Sequence, residues 1–585
     1  MENNDFSNKK IAVIGLDGGS FQIMRPMMEK GMLPNLKKIM DQGASGGFMS
    51  TIPPLSPQAW ASFMTGKNPG KHGIYDFTSF KKNSYEMTFS NGSGVKSKTL
   101  WRFLSECGYS VGVVNVPMTY PAEEVNGYLL SGFEAPSVNT GFSFPAHLSE
   151  EIKAATGKAF DLHGDFWTQN APEVYLQQIL TTMNNQAEAV KYLVTRYPTD
   201  FFMYVFGSTD RAQHYFWKYQ DPDHPDYKKN SRFKTAIEKV YCEADRLTGE
   251  ILAKIPDPKT VFVVSDHGFG PLKKIVYLDQ WLENNGYLVW KQKTISRKNA
   301  FLKQIYMAMR LYLPQKVKDL LKAMFPGARE KVESSLILGD MDWEKTKAFA
   351  VGVESTSIYI NRRHRFPSGT IDYKSDEYEQ LLSDIITGIM EIRDPDTEER
   401  VAEKVLKTCD IYSGAELESA PDLIVLWKDH EYVTRRHYRD NPGEVVSKQL
   451  KSGVMGRLMS LTNTGCHRPE GIFMASGAGI KESYHFDKIN ITDFFTLLLH
   501  YLGRKPPQDV DGQLPDFILK KDAEYQVSDE RSLSSSAASS SSNPPLNGKF
   551  SSPRSEYRSA PGCEELSREE AEAMSQRLKN LGYLE

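Results

Sequence analysis

Short apolar runs with no helical period punctuate this chain, and several of them end on an acid. Ile11–Leu16 (IAVIGL), Phe201–Phe206 (FFMYVF) and Thr260–Val264 (TVFVV) are rich in β-branched and aromatic residues. Such runs predict strands of a parallel sheet buried on both faces. Asp17 and two glycines close the first run, Asp210 and His214 follow the second, and Asp266 and His267 follow the third. A fourth run, Ile472–Ala475, has His467 just before it. Residues beyond the carboxyl ends of parallel strands face the ligand crevice. The stretch STIPPLSPQAWASFMTGKNPGKHG adds Ser56 in a proline-punctuated turn, ahead of a helix predicted over Gln58–Thr65. Three strand ends, one turn hydroxyl and one loop histidine are therefore expected at one edge of one sheet.

The same patterning divides the chain. Sheet-forming segments occupy residues 1–279 and resume over 466–520, where Ile491–Leu502 predicts a covering helix. At 585 residues the chain is too long for one ordinary core. Residues 280–465 hold their own strand-like runs (SIYINR, PDLIVLW) and a helix over Asp376–Ile392, which predicts an inserted α+β cap above the crevice; part of 81–165 is expected to join it. Residues 529–562 are dominated by Ser, Pro and Asn and read as a disordered linker. Residues 563–585 read as one amphipathic helix, Leu566–Leu581, stopped by Gly582.

Each candidate residue has an ordinary reading when taken alone. Asp-Gly after a strand is a common turn, and Asp210 with His214 is a common helix-face pair. Independent structural roles do not, however, predict acids and imidazoles after one strand end after another. Two divalent ions about 4 Å apart can clamp the attacking and leaving oxygens of a displacement at phosphorus. Mixed imidazole and carboxylate donors suit zinc, with manganese as the alternative. Asp17, Asp210, Asp266, His214, His267 and His467 supply six such donors and Ser56 a seventh. Coordination would lower the pKa of the Ser56 hydroxyl and make it a nucleophile without a histidine base.

With LDGG, SPQAWASFMTGKNPGKHGI, DRAQH, SDHGFG and GCHRPEGIF in that order, the chain resembles the alkaline phosphatase superfamily, and within it the type I phosphodiesterase/nucleotide pyrophosphatase branch. The resemblance implies an α/β fold, an alkaline-phosphatase-like core sheet with helices on both faces. It implies one metal on Asp210, His214 and His467, a second on Asp17, Ser56, Asp266 and His267, and Ser56 as the residue that carries the phosphoryl group. The chain departs from the branch three residues after the nucleophile, where an Asn amide usually binds a phosphoryl oxygen and Ala59 stands here. Trp60 is expected instead to wall the pocket or stack on the substrate. The Cys/Ser-x-Pro-x-Arg pattern of sulfatases is not matched by Ser56-Pro57-Gln58-Ala59-Trp60.

Composition narrows the partners. A net charge of −3 predicts no general nucleic-acid affinity. Five widely spaced cysteines argue against a disulfide framework and for a reducing compartment. The polar start MENNDFSNKK and the lack of any apolar run of about eighteen residues predict a cytoplasmic protein without a membrane span. The stretch 291–331 carries eleven Lys or Arg against two acids, interleaved with apolar residues; it reads either as helices with solvated basic faces or as a surface for an anionic substrate or acidic membrane. Arg435 and Arg436 either fork onto a substrate phosphate or carboxylate or pair with Glu431 and Asp440. The expectation is a two-metal hydrolase of small phosphoric esters, phosphodiesterase-like, working through a phosphoseryl intermediate. The alternatives are a phosphomonoesterase, a phosphomutase of the phosphoglycerate mutase type, and a non-catalytic anion-binding protein.

Overall fold

A computed structural model describes residues 10–139, 141–162, 171–257, 259–291, 341–351, 356–435, 443–447, 463–521 and 574–575. Through its centre runs a nine-stranded mixed sheet. In chain order the strands are β1 (Lys10–Leu16), β2 (Gly43–Met49), β3 (Val111–Val116), β4 (Gly127–Ser131), β5 (Ser143–Phe144), β6 (Phe201–Phe206), β7 (Lys259–Val264), β8 (Glu470–Ser476) and β9 (Tyr484–Asn490). Their order in space is β9-β2-β8-β7-β1-β6-β3-β4-β5.

The three acid-tipped runs are the neighbours β6, β1 and β7, parallel and in register, with Leu16 opposite Phe206 and Gly15 opposite Val264. Their carboxyl ends stop at one level, so the residues just past the three strands converge. β8 lies antiparallel between β7 and β2. The residues before β8, His467 among them, therefore reach that same edge. β2 runs in the direction of β1, and the loop after it delivers Ser56 there as well.

Alternate strand residues feed two apolar layers, which is why these strands read as continuous hydrophobic runs. Ala12, Ile14 and Leu16 enter one layer with Phe202, Tyr204 and Phe206; Ile11 and Val13 enter the other with Phe201, Met203 and Val205. Helices Phe21–Glu29, Pro172–Arg196, Ser208–Gln220 and Ala236–Leu252 close the first layer, and Ser56–Thr65, Leu100–Glu106 and Asp493–Tyr501 close the second. Fully burying each Val, Leu, Ile or Phe contributes about 1.5–3 kcal/mol, so these layers dominate the favourable side of folding.

A separate apolar cluster surrounds a four-stranded antiparallel sheet built from Ala348–Ala350, Ser357–Ile360, Leu423–Trp427 and Ala402–Lys407. The runs SIYINR and PDLIVLW pair directly in it, Ser357 opposite Ile424. Helix Asp376–Met390, capped by the Ser375 hydroxyl, contributes Tyr378, Leu381, Leu382, Ile385 and Ile389 to the same cluster. The stretch 81–165 divides between the two bodies of structure. Phe80 and Tyr85, in the hairpin Thr78–Phe80/Met87–Phe89, pack on Phe349 and Trp343, whereas β3, β4 and β5 belong to the central sheet. Apart from Lys291, the basic stretch 291–331 lies outside the described residues, as does the Ser-rich stretch 529–562. In the C-terminal segment 563–585 the described pair Met574–Ser575 is helical, and Met574 is buried in the layer that holds Met24 and Ile237. No described helix is long and apolar enough to cross a membrane.

The loop GKNPGKHG is structural. Gly66, at φ 65°, ends the helix Ser56–Thr65, and the Asn68 side chain accepts the Gly70 N–H to start the next turn. His72 is fully buried, its Nδ1 accepting from Ile74 N–H at 3.2 Å and its Nε2 lying 2.9 Å from Ser62 Oγ. Burial pushes this imidazole down to about 3. An unfolded His72 titrates near its ordinary value, so below about pH 6.5 the unfolded chain binds the extra proton and stability falls as pH drops toward 3, by at most about 1.4 kcal/mol per pH unit. Urea midpoints between pH 7 and pH 5 should accordingly fall less for His72→Gln than for the wild type; equal falls would mean that the buried imidazole does not set this acid limb.

Candidate metal centre

Asp17, Ser56, Asp210, His214, Asp266, His267 and His467 are all buried, at the sheet edge where β1, β6 and β7 end. Local backbone fixes each of them. Asp17 leaves β1 into a turn at Gly18, whose φ of +66° suits glycine; a Cβ there would lie 2.9 Å from the Phe269 ring. That turn aims the Gly18 N–H at Asp266 Oδ1, 3.2 Å away. Thr209 Oγ1 donates to the Asp17 carbonyl at 2.6 Å, which ties the first strand end to the second. Asp210 and His214 share a face one turn apart in helix Ser208–Gln220. Gly268–Pro271, just past Asp266 and His267, pairs antiparallel with Gly465–Arg468, which sets Phe269 opposite His467.

All three imidazoles are held the same way. His214 Nδ1 faces Gly465 O at 3.0 Å, His267 Nδ1 faces Gly268 O at 3.0 Å and His467 Nδ1 faces Pro54 O at 2.9 Å. A carbonyl accepts only, so each Nδ1 carries the proton and each Nε2 turns a lone pair inward, as in metal-binding histidines anchored by an outer acceptor. The Phe269 ring packs against His214 and His467, at 4.8 and 5.4 Å between centroids, and fixes their planes.

The inward atoms converge. His214 Nε2 and His467 Nε2 are 3.1 Å apart, and Asp210 Oδ1 lies 3.4 and 3.3 Å from them. His267 Nε2 lies 3.1 Å from Ser56 Oγ, 3.2 Å from Asp266 Oδ2 and 3.7 Å from Asp17 Oδ1. Asp17 Oδ1 and Asp266 Oδ2 are buried and accept no hydrogen bond among the described residues. Two imidazole lone pairs facing each other repel unless a proton or cation lies between them. The donor set therefore fits divalent ions with bonds of about 2.0–2.3 Å.

Two groups could each hold an ion, with ligand atoms within 4.8 Å of one another: Asp210, His214 and His467, and Asp17, His267 and Asp210. Asp210 thus lies within reach of both positions, and Asp266 stands beside the second, its Oδ1 taken by Gly18.

The electrostatics result from packing acids and imidazoles out of water. Burial, with Asp266 and Asp210 close by, raises the Asp17 carboxyl well above its usual range. Asp266 is pushed up to about 7 by burial, with Asp210 adding to the rise. For Asp210 burial acts in the same direction, but His214 and His467 outweigh it and hold the carboxyl below its usual range. Burial, then His467, keeps His267 well below the ordinary imidazole value and so neutral.

Ser56 is the first residue of helix Ser56–Thr65, directly after the Pro53-Pro54-Leu55 turn. Its hydroxyl thus sits at the positive end of a helix dipole, which favours negative charge on the oxygen. Residues without a sequence signal hold this turn. Tyr412 OH donates to Ile52 O at 2.8 Å and accepts from Ile52 N–H at 2.8 Å and Gln58 Nε2 at 3.0 Å. Nothing in the spacing around Tyr412 marks it; the contact spans some 360 residues of chain.

One sequence expectation falls differently. Trp60 does not face the crevice: it is completely buried one turn beyond Ser56, beneath β1, where Gly15 makes room for its ring and Phe63 packs edge-on at 5.4 Å. Its indole N–H donates to Asp17 Oδ2 at 3.3 Å, so it orients that carboxylate from beneath the sheet. Ala59 is equally buried in that layer. Arg435 is buried at the end of strand Tyr432–Thr434, its backbone N–H donating to Val276 O at 3.0 Å, and Arg436 lies outside the described residues.

The family profile of type I phosphodiesterase/nucleotide pyrophosphatase matches residues 11–454. Among solved structures, the chain is similar to phosphonoacetate hydrolase from Sinorhizobium meliloti 1021 in complex with phosphonoformate, with a TM-score of 0.51 and 13% identity over 83% of this chain and 94% of that one. Murine ectonucleotide pyrophosphatase/phosphodiesterase 5 is similar with a TM-score of 0.46 and 11% identity over 88% and 100%. No curated protein matches in sequence. The first of these likenesses shows the fold, the alkaline-phosphatase-like α/β architecture.

Because Asp210 lies in both ligand sets, its loss should cost more metal than loss of a residue in one. In protein reconstituted with zinc, elemental analysis should find two ions in the wild type, about one in His214→Ala and close to none in Asp210→Ala. Asp210→Ala retaining as much metal as His214→Ala would mean that Asp210 serves one ion position at most.

Proposed function

The chain belongs to the type I phosphodiesterase/nucleotide pyrophosphatase family of phosphoester hydrolases, and from that premise we propose that it cleaves small phosphoric diesters through a phosphoseryl intermediate on Ser56, with two divalent ions, zinc before manganese, as cofactors. The observation that carries this reading is the Ser56 hydroxyl at a helix N-terminus, 3.1 Å from His267 Nε2 and among buried acids. Bound ions would supply Lewis-acid stabilisation of the oxygens on phosphorus and would lower the pKa of the Ser56 hydroxyl. Asp210, His214 and His467 would hold one ion, and Asp17, His267 and Asp210, with Ser56 and Asp266 alongside, the other.

This chain's own residues then do three things. The anchored imidazoles and Trp60 keep the ligand atoms aimed inward with little freedom, so that little reorganisation is left to the reaction itself. The Pro53-Pro54-Leu55 turn, clamped by Tyr412, holds Ser56 Oγ for in-line attack on phosphorus. The O–P bond formed to Ser56 replaces the bond to the leaving alcohol, and water later breaks the Ser56 ester to release a phosphomonoester. Ala59 offers no side-chain donor to the phosphoryl group, which leaves charge stabilisation to the ion sites and the helix N-terminus. Residues 280–465, as the cap, would select the ester.

Ser56→Ala should lower kcat/KM on a phosphodiester by more than about 10³-fold while metal content and melting temperature stay near wild type. Acid-quenched wild-type protein should carry the substrate's ester-bearing phosphoryl group on Ser56 by peptide mass spectrometry. Full activity in Ser56→Ala, or that group on another residue, would take Ser56 out of the mechanism.

A further inference from the structure

A cleft beside the metal centre is bounded on one side by the Pro53-Pro54-Leu55 turn and on the other by strands Leu423–Trp427 and Tyr432–Thr434, and His467 lines it. The short turn Lys428–His430 joins those two strands and brings His430 into the same lining. Its imidazole is a hydrogen-bonding group beside the centre that the metal sites do not use.

The backbone of His430 is pinned to the strand that carries His467. Its carbonyl accepts from Cys466 Sγ at 3.2 Å and from Arg468 Nη1, the two neighbours of His467. The position of His430 is therefore fixed relative to a metal-ligating side chain. Asp429 and His430 both hold a φ of 52°, the left-handed region in which glycine is at ease and a residue with a Cβ is not. The chain thus carries a side chain at 430 against the preference of its backbone, a cost met at ligand-binding positions.

The other polar side chains of the lining are engaged or sealed. Trp427 Nε1 donates to Thr434 Oγ1 at 3.2 Å, Tyr432 OH to Asp394 Oδ2 at 3.0 Å, and Cys466 Sγ to backbone carbonyls. His467 is held by the Pro54 carbonyl at Nδ1 and turns Nε2 toward the metal centre, and Thr356 Oγ1 is buried out of reach. The His430 ring is half-buried, and neither of its nitrogens has a hydrogen-bond or ionic partner among the described residues. Burial, with the Arg468 guanidinium adding to it, holds this imidazole below its ordinary value against the opposing pull of Glu403 and Asp429. At pH 7 it is neutral and offers one N–H and one lone pair.

We propose that His430 is a specificity-determining residue of this centre, its imidazole forming a hydrogen bond with a hydroxyl on the ester group of the substrate. The inference rests on the phosphoester reading and deepens it by naming the substrate class, a phosphoric ester of a hydroxylated alcohol such as a polyol. A hydroxyl both donates and accepts, so it suits whichever nitrogen of the neutral ring faces it. A carboxylate or second phosphate would lose its water without gaining a cation, because the described lining residues include no Lys or Arg.

Calorimetric titration of the metal-reconstituted full chain with alkylphosphonates tests this, because each carries one organic group beside the phosphoryl oxygens. In the wild type, 2,3-dihydroxypropylphosphonate should bind roughly 3- to 10-fold more tightly than propylphosphonate. His430→Gly, which suits the left-handed backbone, should erase that difference without lowering the melting temperature, and His430→Phe, which keeps a ring but no hydrogen-bonding atom, should erase it as well. Equal affinity for the two phosphonates in the wild type, no binding of either, or a difference that persists in either folded variant would overturn the proposal. Selective binding of the dihydroxypropyl compound without hydrolysis of any phosphoester would instead overturn the hydrolase reading and leave the His430 contact standing.

Discussion

Like charge gathered out of water is the constraint on which this structure depends. Asp17, Asp210 and Asp266 are buried together, and the inward nitrogens of His214, His267 and His467 add lone pairs to the same volume. The low dielectric that makes such a cluster costly by itself makes it a strong attractor of multivalent cations. The upward pressure on Asp17 and Asp266 and the neutral state of His267 all come from that one packing choice.

Topology is what lets a sheet protein assemble the cluster. β6, β1 and β7 are adjacent, parallel and in register, so three acids arrive at one level without any long excursion of the chain. Antiparallel β8 supplies the fourth contribution from its entry instead of its exit, and the short pairing of Gly268–Pro271 with Gly465–Arg468 fixes His467 against Phe269. The two apolar layers hold the sheet rigid beneath these residues, while the turn that carries Ser56 is clamped from the other side by Tyr412.

The sequence made the strand ends legible because a doubly buried strand must be apolar throughout, and an acid or imidazole directly after it has no packing reason to recur. It also made the helices legible: Ser56–Thr65 and Asp376–Met390 fall within about two residues of their predicted bounds. Trp60 misled because residue type suggests a pocket wall, whereas its position, four residues into a helix that starts at Ser56, carries it under the sheet to Asp17. The carbonyls of Pro54, Gly268 and Gly465 carry no side-chain signal, yet they decide which nitrogen of each histidine faces inward. That Asp210 lies within reach of both candidate ion positions follows from three-dimensional distances, which no spacing rule encodes.

The most direct measurement is a crystal structure of the zinc-reconstituted protein with anomalous data collected on both sides of the zinc absorption edge. The account predicts two anomalous peaks, one on Asp210, His214 and His467, and the other on Asp17 and His267 with Ser56 Oγ alongside, Zn–N bonds being about 2.0–2.1 Å. A single peak, or peaks away from these residues, would contradict it.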